Sequence, residues 1–162
     1  MSNHRERKPN RLQHYDYSMP GAYFITICCK DRKKYFWEDV GASIARPTEV
    51  RLSPYGLIVE RAIQCIPIHY PMISVDHYVV MPNHVHMLLQ IQCGAEGKQA
   101  AAPTISVVVQ QMKGAVTKEI GFSVWQKLFH DHVIRDQRDY DKIWCYIENN
   151  PVNWTKDCFF AE

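Results

Sequence analysis

Two apolar runs joined by a proline–asparagine pair constrain the fold of this chain more than any other feature. The runs are residues 73–81 (ISVDHYVVM) and 84–91 (HVHMLLQI). Both are rich in β-branched and large apolar residues, which pack well on the pleated surface of a sheet. Pro82 and Asn83 between them favour a tight turn. The segment therefore predicts a β-hairpin, in which residues two positions apart face the same side of the sheet.

Capping residues mark two helices, one on either side of the hairpin. Ser53 and Pro54 are typical of a helix start, because serine accepts hydrogen bonds from free amides and proline suits the first turn. We expect this helix to end at Pro67. Thr104 and Gly121 are expected to bound the second helix, and apolar residues recur at helical spacing in both segments.

Two further strands and a last helix complete the pattern. Residues 22–29 (AYFITICC) predict a strand, and a short strand is expected within residues 123–134 (SVWQKLFHDHVI). The last helix is expected to start at Asp136 and to end near Pro151. The order predicts an α+β, ferredoxin-like βαββαβ fold. This fold has a four-stranded antiparallel sheet with helices on one face, to which a C-terminal helix is added here.

Length and composition indicate a single globular domain. The chain has 162 residues, 46% hydrophobic and 22% charged, which is enough apolar material for one core. We expect one domain over residues 1–162, with a basic arm over 1–20 and a flexible, glycine- and alanine-rich linker over 93–103. The six cysteines form no C-x-x-C pair and are expected to be reduced. Neither a bilayer-spanning stretch nor a secretory signal is recognised, so a cytoplasmic protein is expected.

Basic residues are concentrated in two short segments, although the formal net charge of the chain is only +2. Each segment carries a net charge of +3, so the remainder of the chain is acidic. Clustered Lys and Arg suit a polyanionic partner, and ordinary solvated surface charge is the alternative. The first segment is residues 1–13, with Arg5, Arg7, Lys8 and Arg11 against Glu6, and the second is residues 30–34, with Lys30, Arg32, Lys33 and Lys34 against Asp31.

His84 and His86 are the first candidates for chemistry. In a strand they face the same side, and two neutral imidazoles so placed can converge on one cation. Two surface histidines would give the same pattern. A divalent ion that prefers oxygen, such as Mg²⁺ or Mn²⁺, would also need a carboxylate or amide oxygen. Candidates for this third ligand are Asn150 and, since spacing alone cannot choose, Asp76, Asn83, Asn149 and the carboxylates of the last helix.

Tyr146 and Asn150 form the second candidate pair. Residues four apart lie on one face of a helix, so the phenol and the amide could reach one site. The alternatives are structural. Tyr146 could be a half-buried aromatic residue, and Asn150 could be a helix cap, because Pro151 disfavours α conformation at the preceding residue. Tyr140 is a rival nucleophile, but the residue four positions after it is Trp144 rather than a polar residue.

Three motifs in one order resemble a known family. The chain contains YFITICCKDRKKYF, then VVMPNHVHMLL, then WQKLFHDHVIRDQRDYDKIWCYIENNPVNW. Over nearly its whole length it resembles the single-tyrosine transposases of the HUH nuclease superfamily, most closely the REP-associated tyrosine transposases. The resemblance implies that His84 and His86 bind a divalent metal and that Tyr146 is the nucleophile. It also implies that Asn150 helps to complete the metal site.

The resemblance further implies a reaction and a substrate. The metal would polarise a phosphate of single-stranded DNA, and Tyr146 would attack it to leave a 5′-phosphotyrosine and a free 3′-OH. The substrate would be hairpin DNA with a neighbouring single-stranded stretch, taken from the nucleoid, and the enzyme would be a monomer or a homodimer. Candidate DNA-binding residues are Arg5, Arg7, Lys8, Arg11, Lys30, Arg32, Lys33, Lys34 and Arg135.

Two other functions remain open from the sequence. A domesticated relative could bind structured DNA or RNA without cutting it, and a small metal-dependent hydrolase could use His84 and His86 with water as the nucleophile. Some relatives continue into a longer C-terminal tail. We expect any DNA contact or autoinhibition that such a tail supplies to be absent here.

Overall fold

The computed structural model describes residues 15–38, 50–93 and 103–160. Its strands are β1 (Gly21–Cys28), β2 (Ile73–Val80), β3 (His84–Ile91) and β4 (His130–Ile134). Its α-helices are α1 (Pro54–Gln64), α2 (Ile66–His69), α3 (Ile105–Ile120) and α4 (Gln137–Asn149). Two short 3₁₀ turns, Lys30–Arg32 and Trp154–Lys156, follow β1 and α4.

The four strands form one antiparallel sheet in the order β2-β3-β1-β4. The two central strands, β1 and β3, place Thr26 opposite His86 and Cys28 opposite His84. Most residues of both central strands are buried, as expected of strands covered on both faces. The predicted ferredoxin-like α+β fold is confirmed.

The sheet is covered differently on its two faces. The main core lies between the sheet and helices α1 and α3, and β3 contributes Val85, Met87 and Leu89 to it. Helix α4 packs on the opposite face, where a smaller apolar cluster joins Leu88 to Ile143 and Ile147. The helix that carries Tyr146 therefore lies on the face that β3 lines with His84, His86 and Leu88.

The predicted helix starts are confirmed by their side-chain caps. The Ser53 hydroxyl accepts a hydrogen bond from the backbone amide of Gly56 at 3.1 Å. Thr104 caps α3 in the same way, and Asp136 caps α4. Helix α3 ends at Gly121, whose φ of 89° lies in the left-handed region that glycine occupies without steric cost.

Two proline-based expectations are corrected. Helix α1 ends at Gln64, and Pro67 lies inside the short helix α2, where its first-turn position requires no amide hydrogen bond. Asn150 is the C-cap of α4, as the structural alternative predicted, but it adopts α conformation (φ −60°, ψ −43°) although Pro151 follows it. The backbone amide of Asn150 bonds to the carbonyl of Ile147, so the last turn of α4 overrides the local preference.

Most of the predicted arm and linker lies outside the described residues. Residues 1–14 and 94–102 are not described, so the basic arm and the linker stay predictions. At the end of the arm, Tyr15 and Tyr17 pack against Tyr23 of the main core. Helices long and apolar enough to cross a membrane are absent from the described part of the chain. All six cysteines are free thiols.

Candidate metal and tyrosine site

The two histidines of β3 converge beneath helix α4. His84 and His86 are 0% and 1% exposed, and their Nε2 atoms lie 3.0 Å apart. Strand alternation places both rings on the same face, as predicted. The alternative of two surface histidines is wrong, because both imidazoles are buried.

A hydrogen bond to Asn83 fixes the tautomer of His84. The side-chain nitrogen of Asn83 donates to the carbonyls of Arg32 (3.3 Å) and Phe159 (2.9 Å), which determines the orientation of its amide. The Oδ1 atom of Asn83 therefore faces His84 Nδ1 at 2.9 Å, and Nδ1 must carry the proton. The Nε2 lone pair of His84 is left free to bind a cation, as in metal sites whose ligands are oriented by a second residue.

His86 is oriented in a similar way from β1. Its Nδ1 atom lies 2.8 Å from the hydroxyl of Thr26, which sits directly opposite it in the sheet. Burial lowers the pKa of both His84 and His86 below the ordinary value of 6.5, and for His86 the neighbouring His84 adds to this effect. Both imidazoles are therefore neutral at neutral pH, which is the state that binds metals.

Asp157 completes a group of three possible metal ligands. The ligand atoms of His84, His86 and Asp157 all lie within 4.8 Å of one another. The Asp157 carboxylate is 3.9 Å from His84 Nε2, and its side chain is 2% exposed. Two imidazoles and one carboxylate are a ligand set that divalent transition metals accept.

Asn150, the predicted third ligand, lies next to this group rather than within it. Its side-chain nitrogen donates to Asp157 Oδ2 at 2.9 Å. Its Oδ1 atom is buried without a hydrogen-bond partner among the described residues. Asn150 as a metal ligand stays a prediction. Asp76, Asn83 and Asn149 are engaged elsewhere, by Tyr140, by His84 and by the Cys145 carbonyl respectively.

The cluster fits a divalent cation on two observations. Neighbouring ligands of an octahedral ion with bonds of about 2.1 Å lie about 3 Å apart, and the two Nε2 atoms have this spacing. The buried Oδ1 atom of Asn150 is a further oxygen that lacks a donor. A cation would satisfy acceptors that protein hydrogen bonds leave unpaired.

Tyr146 reaches the cluster from helix α4 of the same chain. Its hydroxyl lies 3.4 Å from His86 Nε2 and 3.3 Å from Asp157 Oδ2. The ring packs edge-on against Phe24 and His86, which holds the phenol over the cluster. Tyr146 remains 41% exposed, so an incoming ligand can reach it.

The two tyrosines of α4 are placed differently. Partial burial and then the charge of Asp157 raise the pKa of Tyr146 to about 12. Tyr140 donates to Asp76 on β2 at 2.9 Å, and burial followed by this bond raises its pKa to about 12 as well. Only Tyr146 faces the histidines.

The C-terminal segment closes one side of the site. The ring of Phe159 lies 4.7 Å from that of His84, and Trp154 lies 5.9 Å from it on the same segment. The sequence did not indicate a role for the residues after α4, yet residues 154–160 supply Asp157 and cover His84. The available signal in the sequence was Trp154, Phe159 and Phe160, aromatic residues in a segment without helical or strand periodicity.

The predicted DNA-binding residues are divided among three places. Arg5, Arg7, Lys8 and Arg11 lie outside the described residues. Lys30, Arg32, Lys33 and Lys34 are exposed next to the site, because Asn83 joins the Arg32 carbonyl to His84. Arg135 is exposed at the far end of β4, where Ile134 pairs with Ala22 rather than with the histidine end of β1.

Comparisons with known proteins find both relatives in sequence and solved structures of similar fold. No model of a protein family matches the chain. A Haemophilus influenzae protein of uncharacterised function is 32% identical over 176 residues, covering 96% of this chain and 94% of that protein. A second Haemophilus influenzae protein, which bears the name "Putative REP-associated tyrosine transposase", is 29% identical over 148 residues, covering 85% of this chain and 73% of that protein.

One of these solved structures shows the same fold. It is a REP-associated tyrosine transposase bound to a REP hairpin, and it matches with a TM-score of 0.62 at 21% identity. The match covers 89% of this chain and 74% of that chain. The βαββαβ sheet with an added helix is therefore shared over nearly all of the chain.

Proposed function

We propose that this chain is a REP-associated tyrosine transposase, a metal-dependent enzyme that cleaves and rejoins single-stranded DNA at hairpin sequences. Its similarity to a relative of that name and its shared fold with a solved transposase support the proposal. The observation that carries this proposal is the approach of Tyr146 to His84, His86 and Asp157 within one chain. A nucleophile beside a cluster that can bind a cation is the arrangement that phosphoryl transfer requires.

His84, His86 and Asp157 would hold the cation, with Asn150 beside them. A divalent ion such as Mg²⁺ or Mn²⁺, when bound, supplies polarisation of the scissile phosphate and stabilises its developing charge. The chain contributes the neutral imidazoles of His84 and His86. Their Nδ1 atoms form hydrogen bonds with Asn83 and Thr26 respectively. These hydrogen bonds fix the ring orientation before any ligand arrives.

Tyr146 would be the nucleophile. Its hydroxyl oxygen forms a bond to phosphorus while the bond from phosphorus to the 3′ oxygen breaks, which leaves a 5′-phosphotyrosine and a 3′-OH. The phosphodiester is exchanged for a phosphotyrosine ester, so attack by a 3′-OH can reverse the step without ATP. The raised pKa of Tyr146, about 12, means that the phenol keeps its proton until attack, and Asp157 already accepts its hydrogen bond.

Nucleic-acid binding would use the exposed basic segment beside the site. Lys30, Arg32, Lys33 and Lys34 lie on the surface, and the ammonium of Lys34 stands 5.6 Å from the ring centre of Phe160. Lysine and arginine side chains bind phosphates, and exposed aromatic rings stack on unpaired bases. The substrate would be hairpin DNA with a single-stranded flank.

The test uses the tyrosine pair of α4. Wild-type protein is incubated with labelled hairpin DNA that carries a single-stranded flank, with Mn²⁺ or Mg²⁺, and separated on a denaturing gel. We expect a covalent protein–DNA band that requires the metal, disappears in Tyr146→Phe and persists in the matched control Tyr140→Phe. The control removes a phenol from the same helix and leaves the ring in place.

The other outcomes identify the alternatives. A retarded complex on a native gel without any covalent band in the wild type would favour a binding protein that does not cut. Cleavage that survives in Tyr146→Phe would favour a hydrolase in which water attacks at the histidine cluster.

A further inference from the structure

A basic cavity opens at the turn that follows β1. It has a volume of about 840 Å³ and lies between the Lys30–Arg32 turn and residues 123–127. A smaller cavity of about 370 Å³ continues it along helix α3 and shares Trp125 and Lys127 with it. Five basic residues line the two cavities, against the single acid Asp31: Lys30, Arg32, Lys113, Lys118 and Lys127.

The walls of the cavity are joined by backbone hydrogen bonds. The Lys30 amide donates to the Val124 carbonyl at 2.8 Å, and the Gln126 amide donates to the Cys28 carbonyl at 2.9 Å. The ammonium of Lys113 reaches from α3 to the carbonyls of Gln126 and Lys127, at 2.7 and 3.2 Å. The cavity is therefore formed in the folded chain without any ligand.

The turn on one wall is conformationally strained. Asp31 and Arg32 have φ values of 56° and 54°, and neither is glycine. Left-handed conformation at such residues persists only where the surroundings enforce it, and it is concentrated at functional sites. Here the side chain of Asn83 helps to hold the turn by donating to the Arg32 carbonyl.

The opposite wall contains a hydrogen-bond donor without an acceptor. Trp125 is 5% exposed, and its indole N–H has no hydrogen-bond partner among the described residues. An indole N–H can only donate, and a buried donor without an acceptor is uncommon in folded proteins. The excess of basic side chains in this cavity therefore favours an anionic ligand.

We propose that the cavity is a second nucleic-acid subsite, which binds backbone phosphates of the single strand that flanks the scissile position. This inference rests on the proposed function and adds Lys127, Lys113 and Trp125 to the DNA-binding surface. Asn83 connects the two sites, because it contacts both the Arg32 carbonyl and His84 Nδ1.

The test measures the salt dependence of DNA binding. Full-length Lys30→Gln/Lys127→Gln is compared with wild type by fluorescence anisotropy, using a hairpin with a single-stranded flank in EDTA so that no cleavage occurs. For single strands, each lost phosphate contact reduces the slope of log affinity against log salt by about 0.7, so the double variant should lose about 1.4. Affinity near 0.1 M salt should fall about tenfold or more.

The control removes a basic charge elsewhere. Arg61→Gln changes an exposed basic residue of α1, on the face of the sheet that does not carry Tyr146, and should leave the slope unchanged. An unchanged slope in the cavity variant, or an equal loss in the control, would overturn the inference. Displacement of the oligonucleotide by about 10 mM inorganic phosphate at constant ionic strength would also overturn it, since the cavity would then be a site for free phosphate.

The two proposals fail in different ways. If wild-type protein forms no covalent adduct with DNA in the presence of the metal, the transposase proposal fails. A reduced salt slope in the cavity variant would still support the cavity as a nucleic-acid site. If the adduct forms and the cavity variant keeps the wild-type slope, only the cavity inference fails.

Discussion

The two faces of the sheet are built from the same strands but carry different residues. On β3, Val85, Met87 and Leu89 face helices α1 and α3, while His84 and His86 face helix α4. The first face buries a large apolar cluster, and the second has a small one around a polar site. The alternation of a single strand thus separates the residues that stabilise the fold from those placed for chemistry.

The contacts that hold α4 on the sheet differ from those of α1 and α3. Among the described residues, its fully buried apolar contacts are few, and polar and aromatic contacts to β2 supplement them. Tyr140 donates to Asp76, and the ring of His77 stacks on Trp144 at 4.4 Å. The position of Tyr146 therefore depends on contacts that contribute less to the core than those of α1 and α3.

The largest effects are expected from two substitutions at neighbouring positions of β3, whose side chains lie on opposite faces of the sheet. Met87→Ala removes a fully buried side chain and should lower the free energy of unfolding by about 2–5 kcal/mol. His86→Gln should lose Mn²⁺ binding and reduce covalent adduct formation by a factor of about 10³ or more, because the ion supplies several kcal/mol. Urea unfolding, calorimetric Mn²⁺ titration and the gel assay measure these quantities.

Each variant is the control for the other. Met87→Ala, tested at a temperature where it is folded, should still bind Mn²⁺, and His86→Gln should unfold within about 1–2 kcal/mol of wild type. If His86→Gln loses as much stability as Met87→Ala, the division between a stabilising face and a functional face is wrong.

The sequence predicts those parts of the site that follow from local periodicity. His84 and His86 share a face because they are two apart in a strand, and Tyr146 and Asn150 share a face of α4 because they are four apart. Asp157 could not be found in this way, because its segment has no regular period. Its position depends on tertiary contacts, such as the ring of Trp154 packed against Trp37 and His84.

Local rules also failed where tertiary structure outweighed them. Pro151 disfavours α conformation at Asn150, yet Asn150 adopts it. In that conformation Asn150 is buried and its side chain donates a hydrogen bond to Asp157. Capping residues predicted helix starts correctly, because a cap needs only the first turn of its own helix. The fold was therefore predictable, while the ligand contributed by the C-terminal segment was not.

The next effect in size concerns Asp157, the residue that ties the C-terminal segment to the functional face. Asp157→Asn should lower Mn²⁺ affinity about 10–100-fold, the range typical of losing a group that supports a metal site. Removal of its charge should also lower the pKa of Tyr146 from about 12, since that charge raises it. Calorimetry and ultraviolet titration of the phenol measure the two changes.

The matched control for this variant is Asp139→Asn. Asp139 is a partly exposed carboxylate on α4 that bonds to His132, away from the cluster. An equal loss of Mn²⁺ affinity in both variants, or no loss in Asp157→Asn, would remove Asp157 from the metal site.

A further expected effect is the pH dependence that the functional face imposes on the stability of the metal-free protein. The pKa values of His84 and His86 lie below 6.5 in the folded chain and near 6.5 once unfolded, so the unfolded state binds more protons as the pH falls. Stability should be constant above pH 6.5 and decline below it, by about 1.4 kcal/mol per pH unit for each additional proton bound on unfolding.

Urea unfolding in EDTA between pH 7.5 and 5 measures the decline, and His84→Gln/His86→Gln should flatten it. Because Met87→Ala leaves both imidazoles in place, it should shift the whole curve down and keep its slope. A wild-type curve that stays flat to pH 5 would mean that the histidines can be protonated without unfolding, and hence that this face is open to water.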